Sequence, residues 1–158
     1  NAVTGNDYMQ FTITPNSGFQ FSVSSIVMQI QRSGTGLTAV ALRSSANGYA
    51  SNLDAAKAIV DNTSTQTITF TFAQSNSTSA VTYRLYGYAE VGTGTGGPGD
   101  GTGNDITVNG SVSSTASPVI STTGTLGALS TTYETASSET SFNVSGADMA
   151  AGILVTPP

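Results

Sequence analysis

The chain has 158 residues, of which 4 are basic, 9 are acidic and 47 are Ser or Thr, and it lacks Cys, His and Trp. These absences exclude zinc fingers, cysteine nucleophiles and Ser-His-Asp triads. The net charge of −5 provides no basic surface for phosphates, so we expect no nucleic-acid partner. No apolar run approaches the ~20 residues of a membrane helix, so we expect no membrane span.

Alternation of apolar and polar residues dominates the first two thirds of the chain and predicts antiparallel strands. Met9, Phe11 and Ile13 alternate with polar residues, and a Pro-Asn-Ser-Gly turn follows. The segment 67–72 shows the same alternation in its clearest form. The predicted strands lie at 8–14, 19–23, 26–31, 38–43, 67–72, 81–91 and 106–112. This pattern predicts an all-β fold, with an antiparallel β-sandwich over residues 1–112.

Two segments interrupt the strand pattern. Residues 50–60 contain an Ala-rich run after Asn52 and Asp54, which predicts a short capped helix or else a loop excursion between strands. Residues 92–104 are rich in Gly and Thr and contain one Pro. That segment is long for a hairpin loop, so we expect either a mobile tip or a binding site there.

The last third of the chain differs from the rest. Residues 113–118 form a Ser/Thr/Pro linker, and three short strands are predicted beyond it, at 119–124, 140–145 and 152–155. Three short strands cannot bury two sheet faces by themselves. We therefore expect residues 119–158 to expose sheet edges, which are templates for pairing with another chain.

A family resemblance rests on five motifs in a fixed order. They are DYMQFTITPNSG (7–18), QRSGTG (31–36), ALRSS (41–45), YRLYGY (83–88) and DITVNG (105–110). Together they resemble a β-sandwich module of large secreted and surface proteins from Bacteroidetes-like and Verrucomicrobia-like bacteria. The resemblance implies a jelly roll of the carbohydrate-binding-module type, and an extracellular or cell-surface location.

The remainder of the chain is similar to the first half of an Ig-like surface-protein repeat. The matching motifs are ISTTGTL (120–126), SFNVSG (141–146) and ILVTPP (153–158). Two departures from the pattern stand out: the Ig-like half stops where such repeats continue, and the sandwich lacks a first strand before Asp7. We therefore expect the chain either to be a piece of a longer protein or to be completed by another chain.

A Gly-rich acidic turn is the candidate metal site. Carboxylates, hydroxyls and carbonyls are the ligands available, so a bound metal would be a hard cation such as calcium. DGTGND (100–105) gathers such oxygens but has Thr102 where an EF-hand loop has an acid or Asn. The resemblance implies a structural calcium held by Asp105 and joined by Asp7, with Asp100 completing the candidate set. The alternative is a solvated turn, because Asp and Asn are common turn formers.

The predicted strand at 81–91 carries the candidate ligand-binding residues. Arg84, Tyr86 and Tyr88 project to one side, while Tyr83 and Leu85 project to the other. Aromatic rings on a sheet face can stack on sugars, and arginine can bridge hydroxyl groups. Tyrosine is also a favoured strand residue, so the same pattern fits a purely structural face.

The few arginines and the acids have other candidate roles. We expect Arg32, Arg43 and Arg84 to tie strands together through pairing with Asp54, Asp61 or Glu90. Paired carboxylates are the only catalytic machinery that the composition allows, and the acids form no recognisable motif. We therefore expect no enzyme.

Two functions from different classes remain. The first is a structural or adhesive surface protein, a filament subunit whose copies or neighbouring β-domains pair through donated strands. The second is a glycan-binding accessory module of a larger secreted enzyme or adhesin, with Tyr86 and Tyr88 at its ligand face. A passive spacer between other domains is a weaker third hypothesis. The first hypothesis is preferred because it accounts for both the unfinished second half and the low charge.

Overall fold

The computed structural model describes residues 7–61, 64–88, 93–99, 101–149 and 151–156. The chain divides into two compact units, Asn1–Ser113 and Ser114–Pro158. Within the described residues the regular structure is strand, apart from one 3-10 turn at Ser45–Asn47. The predicted all-β fold with antiparallel sheets is confirmed. Among those residues, no helix has the length and apolar character needed to cross a membrane.

Ten strands make up the described fold. In chain order they are β1 (Tyr8–Ile13), β2 (Phe19–Arg32), β3 (Ala39–Ser44), β4 (Lys57–Ala58), β5 (Gln66–Ser77), β6 (Val81–Tyr88), β7 (Gly96–Pro98), β8 (Ile106–Ser114), β9 (Val119–Thr123) and β10 (Asn143–Ala147).

The first unit contains two sheets. One has the order β1-β6-β3-β4, and all three of its pairings are antiparallel. In the other, β2 pairs with β5 and also with β7 and β8. Side-chain hydrogen bonds join Gln20 to Ser113 and Ser22 to Ser111, so β8 runs antiparallel to β2. The connection pattern of a jelly roll stays a prediction.

The core lies between these two sheets. Its fully buried side chains come from both, and they make the unit a β-sandwich. The second sheet contributes Ile26, Met28, Ile30 and Phe70, and the first contributes Val40, Leu42 and Tyr83.

The long strand β2 joins two segments that the sequence pattern separated. Phe21 and Val23 are buried in its first half, whereas Ile26 and Met28 are buried in its second half. Alternate residues of a regular strand share one face, so odd and even residues cannot both face the core without an interruption. The pairing with β5 shifts register twice, between Phe21 and Val23 and between Val23 and Ser25, and these irregularities return the apolar residues to the core.

The structure decides between the two alternatives for residues 50–60 and differs from two other sequence-based expectations. Residues 50–60 form bends and the two-residue strand β4 instead of a helix, because the carboxylate of Asp54 is bonded to β5 and Ile59 is buried in the core. The Gly-rich segment 92–104 contains a strand, β7, on the end of β2. A Cβ on Gly36 would lie 2.2 Å from the Thr95 carbonyl oxygen, so this close approach requires glycine. Residues 152–155 form no strand.

Candidate functional site

The outer face of the first sheet gathers the predicted ligand-binding residues. Arg84 and Tyr86 lie on this face, and Tyr8 pairs directly with Tyr86 across β1 and β6. The guanidinium carbon of Arg84 lies 4.1 Å from the ring centre of Tyr8 and 3.9 Å from that of Tyr49. The Arg84 Nε also donates a hydrogen bond of 3.1 Å to Gln10. Arg84 is therefore held between two aromatic rings.

Tyr86 is enclosed by its neighbours. Only 8% of its surface is exposed, its ring centre lies 5.4 Å from that of Tyr8, and the Arg43 guanidinium lies 5.7 Å from its ring centre. A hydrogen bond with Tyr86 is the main influence that raises the pKa of Arg84. The rings and guanidinium groups thus contact one another, and Tyr86 itself presents little exposed surface.

The sequence pattern located part of this cluster and missed the rest. Arg84 and Tyr86 are together as predicted, and Tyr88 lies at the end of β6 opposite Ala39, half-buried. Tyr8 comes from another strand, so only the β1–β6 register could have placed it here. Tyr49 follows the 3-10 turn in a left-handed conformation with φ of 61°, which local propensity does not predict for tyrosine.

The arginine-pairing hypothesis is confirmed for Arg32 with Asp61, while the candidate acid Glu90 lies outside the described residues. Arg32 is 7% exposed, its Nη2 lies 3.6 Å from Asp61, and its Nη1 donates a 3.0 Å hydrogen bond to the Gly36 carbonyl. Arg43 instead donates to the Asn52 side chain and the Tyr49 carbonyl, at 2.9 and 3.1 Å.

The structure describes two of the three candidate calcium ligands, Asp7 and Asp105. Asp7 precedes β1 and is exposed, and Asp105 precedes β8 and is also exposed. The backbone carbonyl of Asp105 accepts a hydrogen bond from the Gln29 N–H at 2.9 Å. Asp100 lies outside the described residues, within which no group of three or more acidic side chains could hold a metal ion. Calcium binding stays a prediction.

One side of the sandwich has an edge N–H that is already bonded to a carboxylate, and we call it the closed side. The segment before β4 crosses here, and the Asp54 Oδ2 accepts a 2.8 Å hydrogen bond from the Thr71 N–H on the outer edge of β5. Lys57 lies 2.9 Å from the same carboxylate oxygen. The Thr71 hydrogen bond, followed by that from Lys57, lowers the pKa of Asp54 to about 2. An edge N–H that is already bonded to a carboxylate cannot pair with another strand.

The opposite side, bounded by β1 and β8, is the open side. Within the described residues, β1 pairs only with β6 and β8 pairs only with β2. The sequence of β8 contains no charged residue, and its side chains are exposed from Val108 onward. A long uncharged edge strand is a template for another strand.

Two apolar hollows open between the sheets on this side. One of about 320 Å³ is lined by Met9, Leu37 and Leu85, among others. The other, of about 280 Å³, is lined by residues that include Ile13 and Val112. β1 contributes to both hollows, so they lie along the inner face of one edge strand.

Comparisons with known proteins add no family to this description. The chain matches no family model, and no curated protein or solved structure matches it. The resemblance seen in the sequence stays a prediction, and the architecture rests on the structure alone.

Proposed function

We propose that this protein is a non-enzymatic extracellular structural or adhesive protein whose copies pair through β-strands, as subunits of a filament. The observation that carries this proposal is the exposure of the second unit. β9 and β10 form a two-stranded ribbon, and none of the described residues of Ser114–Pro158 is buried. An isolated two-stranded hairpin is marginally stable at best in water.

The apolar side chains of this second unit favour a partner surface. Tyr133 is 92% exposed, Leu154 is 88% exposed and Leu129 is 65% exposed. Burial of one large apolar side chain contributes about 1.5–3 kcal/mol. Covering several of them with a neighbouring chain would therefore provide a substantial driving force for association.

The open side of the first unit is a suitable receptor for such a strand. A strand from another copy could form a backbone ladder with β8 or β1 and place alternate side chains in the two apolar hollows. Strand donation from copy to copy is head-to-tail, and such contacts generate filaments when the ring does not close. The extracellular location is supported by the sequence resemblance and by the hydroxyl-rich composition.

A matched pair of variants tests this assembly. Val112→Lys puts a charge at the open side, where Val112 is 70% exposed, and we expect it to reduce self-association strongly. Thr69→Lys puts the same charge on an exposed residue of β5, next to the closed side, and we expect assembly close to that of the wild type. Analytical ultracentrifugation over a concentration series, with negative-stain microscopy, measures both. A wild-type chain that stays monomeric at high concentration contradicts the proposal and favours a spacer.

A second candidate function is glycan binding by the outer face of the first sheet. The observation that favours it is the row of Tyr8, Arg84 and Tyr49, in which cation and rings are already pre-arranged. Binding on a glycan array that is lost in Arg84→Met, and retained in the distant Ser111→Ala, would support this function. An array without signal, or unchanged binding by Arg84→Met, would contradict it.

A further inference from the structure

A polar cavity of about 730 Å³ lies at one end of the first unit. It is formed where the 3-10 turn follows β3, beside the last residues of β5 and the start of β6. Ten of its sixteen lining residues are Ser, Asn or Gln, and none of the lining residues is charged. Leu53, Phe72 and Val81 add apolar surface. Its volume is in the range of small-molecule sites, about 300–1,000 Å³.

Two polar groups of this lining lack hydrogen-bond partners among the described residues. Ser44 is 1% exposed, and its Oγ is buried without a partner. Gln74 accepts a hydrogen bond from the buried Tyr83 hydroxyl through Oε1, and this orientation leaves its buried Nε2 without a partner. Buried polar groups are nearly always bonded, so each exception requires an explanation.

Neighbouring polar groups of the same lining have structural partners. The Ser45 Oγ accepts a 2.9 Å hydrogen bond from the Thr82 N–H. The Asn52 Oδ1 accepts from Arg43, which leaves the Asn52 Nδ2 as the end that can donate to a ligand. The unpaired groups of Ser44 and Gln74 therefore differ from those of Ser45 and Asn52, which accept hydrogen bonds within the fold.

We propose that this cavity binds a neutral hydroxylated ligand of the saccharide class. Sugar hydroxyls donate and accept, so a ring in the cavity can accept from the exposed Asn52 side chain, and it can bond to the Gln74 Nε2 and the Ser44 Oγ once these two buried groups turn toward the cavity. The carbon face of the same ring can pack on Phe72 or Leu53. Without a charged lining residue, the cavity offers an ionic ligand no compensation for lost water. This proposal is independent of filament assembly and concerns a different surface from the Arg84 cluster.

NMR titration of the whole chain with a panel of neutral trisaccharides tests the proposal. We expect at least one gluco-, manno- or xylo-configured trisaccharide to shift the backbone amides of Ser44 and Gln74, with affinity in the millimolar range. Ser44→Ala should weaken that binding by about threefold to tenfold, the effect of one hydrogen bond. The same variant should leave stability unchanged or raised, because it removes a hydroxyl that has no partner.

Two control variants separate binding from folding. Ser45→Ala should lower stability, because the Thr82 N–H loses its acceptor. Ser111→Ala changes an exposed hydroxyl of β8 and should leave saccharide affinity unchanged.

Three outcomes would overturn the proposal. One is the absence of shifts at the cavity with every sugar at about 10 mM, which is a weak-binding limit. Another is a set of shifts confined to Tyr8, Tyr49 and Arg84, which would assign the sugar to the sheet face. The last is a Ser44→Ala variant that is less stable yet binds with wild-type affinity, which would make the hydroxyl structural.

Discussion

The closed and open sides of the first unit belong to one sandwich, but their edge strands differ in burial and in how many hydrogen-bond donors are already occupied. On the closed side, Phe70 is fully buried and Asp54 occupies an edge N–H of β5. On the open side, Val112 is 70% exposed and Met9 is 40% exposed. One carboxylate on a short crossing segment can thus occupy a donor of an edge strand, whereas hydroxyl-rich composition alone leaves an edge available.

The largest expected difference between the two sides is in stability. Phe70→Ala should lower the free energy of unfolding by about 3–5 kcal/mol, because it leaves a cavity in a close-packed core. Val112→Ala should change it by less than about 0.5 kcal/mol, because the side chain is mostly in water. Urea unfolding of both variants measures the contrast. Similar losses would show that the open side is covered in solution.

A smaller effect is expected from acid, through the carboxylate of the closed side. The folded-state pKa of Asp54 is about 2, below its ordinary value of 3.8. A lowered pKa means that this carboxylate stabilises the fold above pH 3.8, and that its contribution disappears as the pH falls through about 2. Asp54→Asn should be less stable than the wild type at neutral pH, and the two should converge at about pH 2. Thermal unfolding at several pH values checks this, and a gap that stays constant would contradict it.

The smallest effect is expected on the outer surface beside the open side. Ser22 and Ser111 share a 2.8 Å hydrogen bond that is exposed to water. Ser111→Ala should therefore cost less than about 0.5 kcal/mol, because water replaces the lost partner. Chemical denaturation of this variant measures the cost. A loss several times larger would show that the β2–β8 pairing depends on this side-chain contact.

The local alternation of side chains predicted most of the strands. It failed where contacts between residues distant in the chain determine the structure. The alternation at 67–72 predicted the centre of β5 because one face of that strand is buried and the other is wet. The Ala-rich segment 50–60 fitted either a short helix or a loop excursion, since helix propensity is a local property. In the fold, Asp54 instead bonds to Thr71, seventeen residues further along the chain, and Ile59 enters the core. Those long-range contacts outweigh the local preference.

The candidate sites show the same limit. Alternation along one strand predicted that Arg84 and Tyr86 share a face, but it could not show that Tyr8 and Tyr49 cover Arg84. The polar cavity near Ser44 was not predicted at all. Its lining comes from separate segments rich in Ser and Asn, and such residues resemble ordinary loop residues until the fold brings them together.

By itself, the sequence determined which functional groups this protein has available, and it determined the fold class. The absence of Cys and His removes the catalysts and metal sites that depend on them, and the abundance of Thr, Ser and alternating apolar residues favours sheets. The tertiary structure alone decided which strand edges are blocked and which polar groups are left without partners. Those properties depend on register and on contacts distant in the chain, and a local pattern of side chains does not encode them.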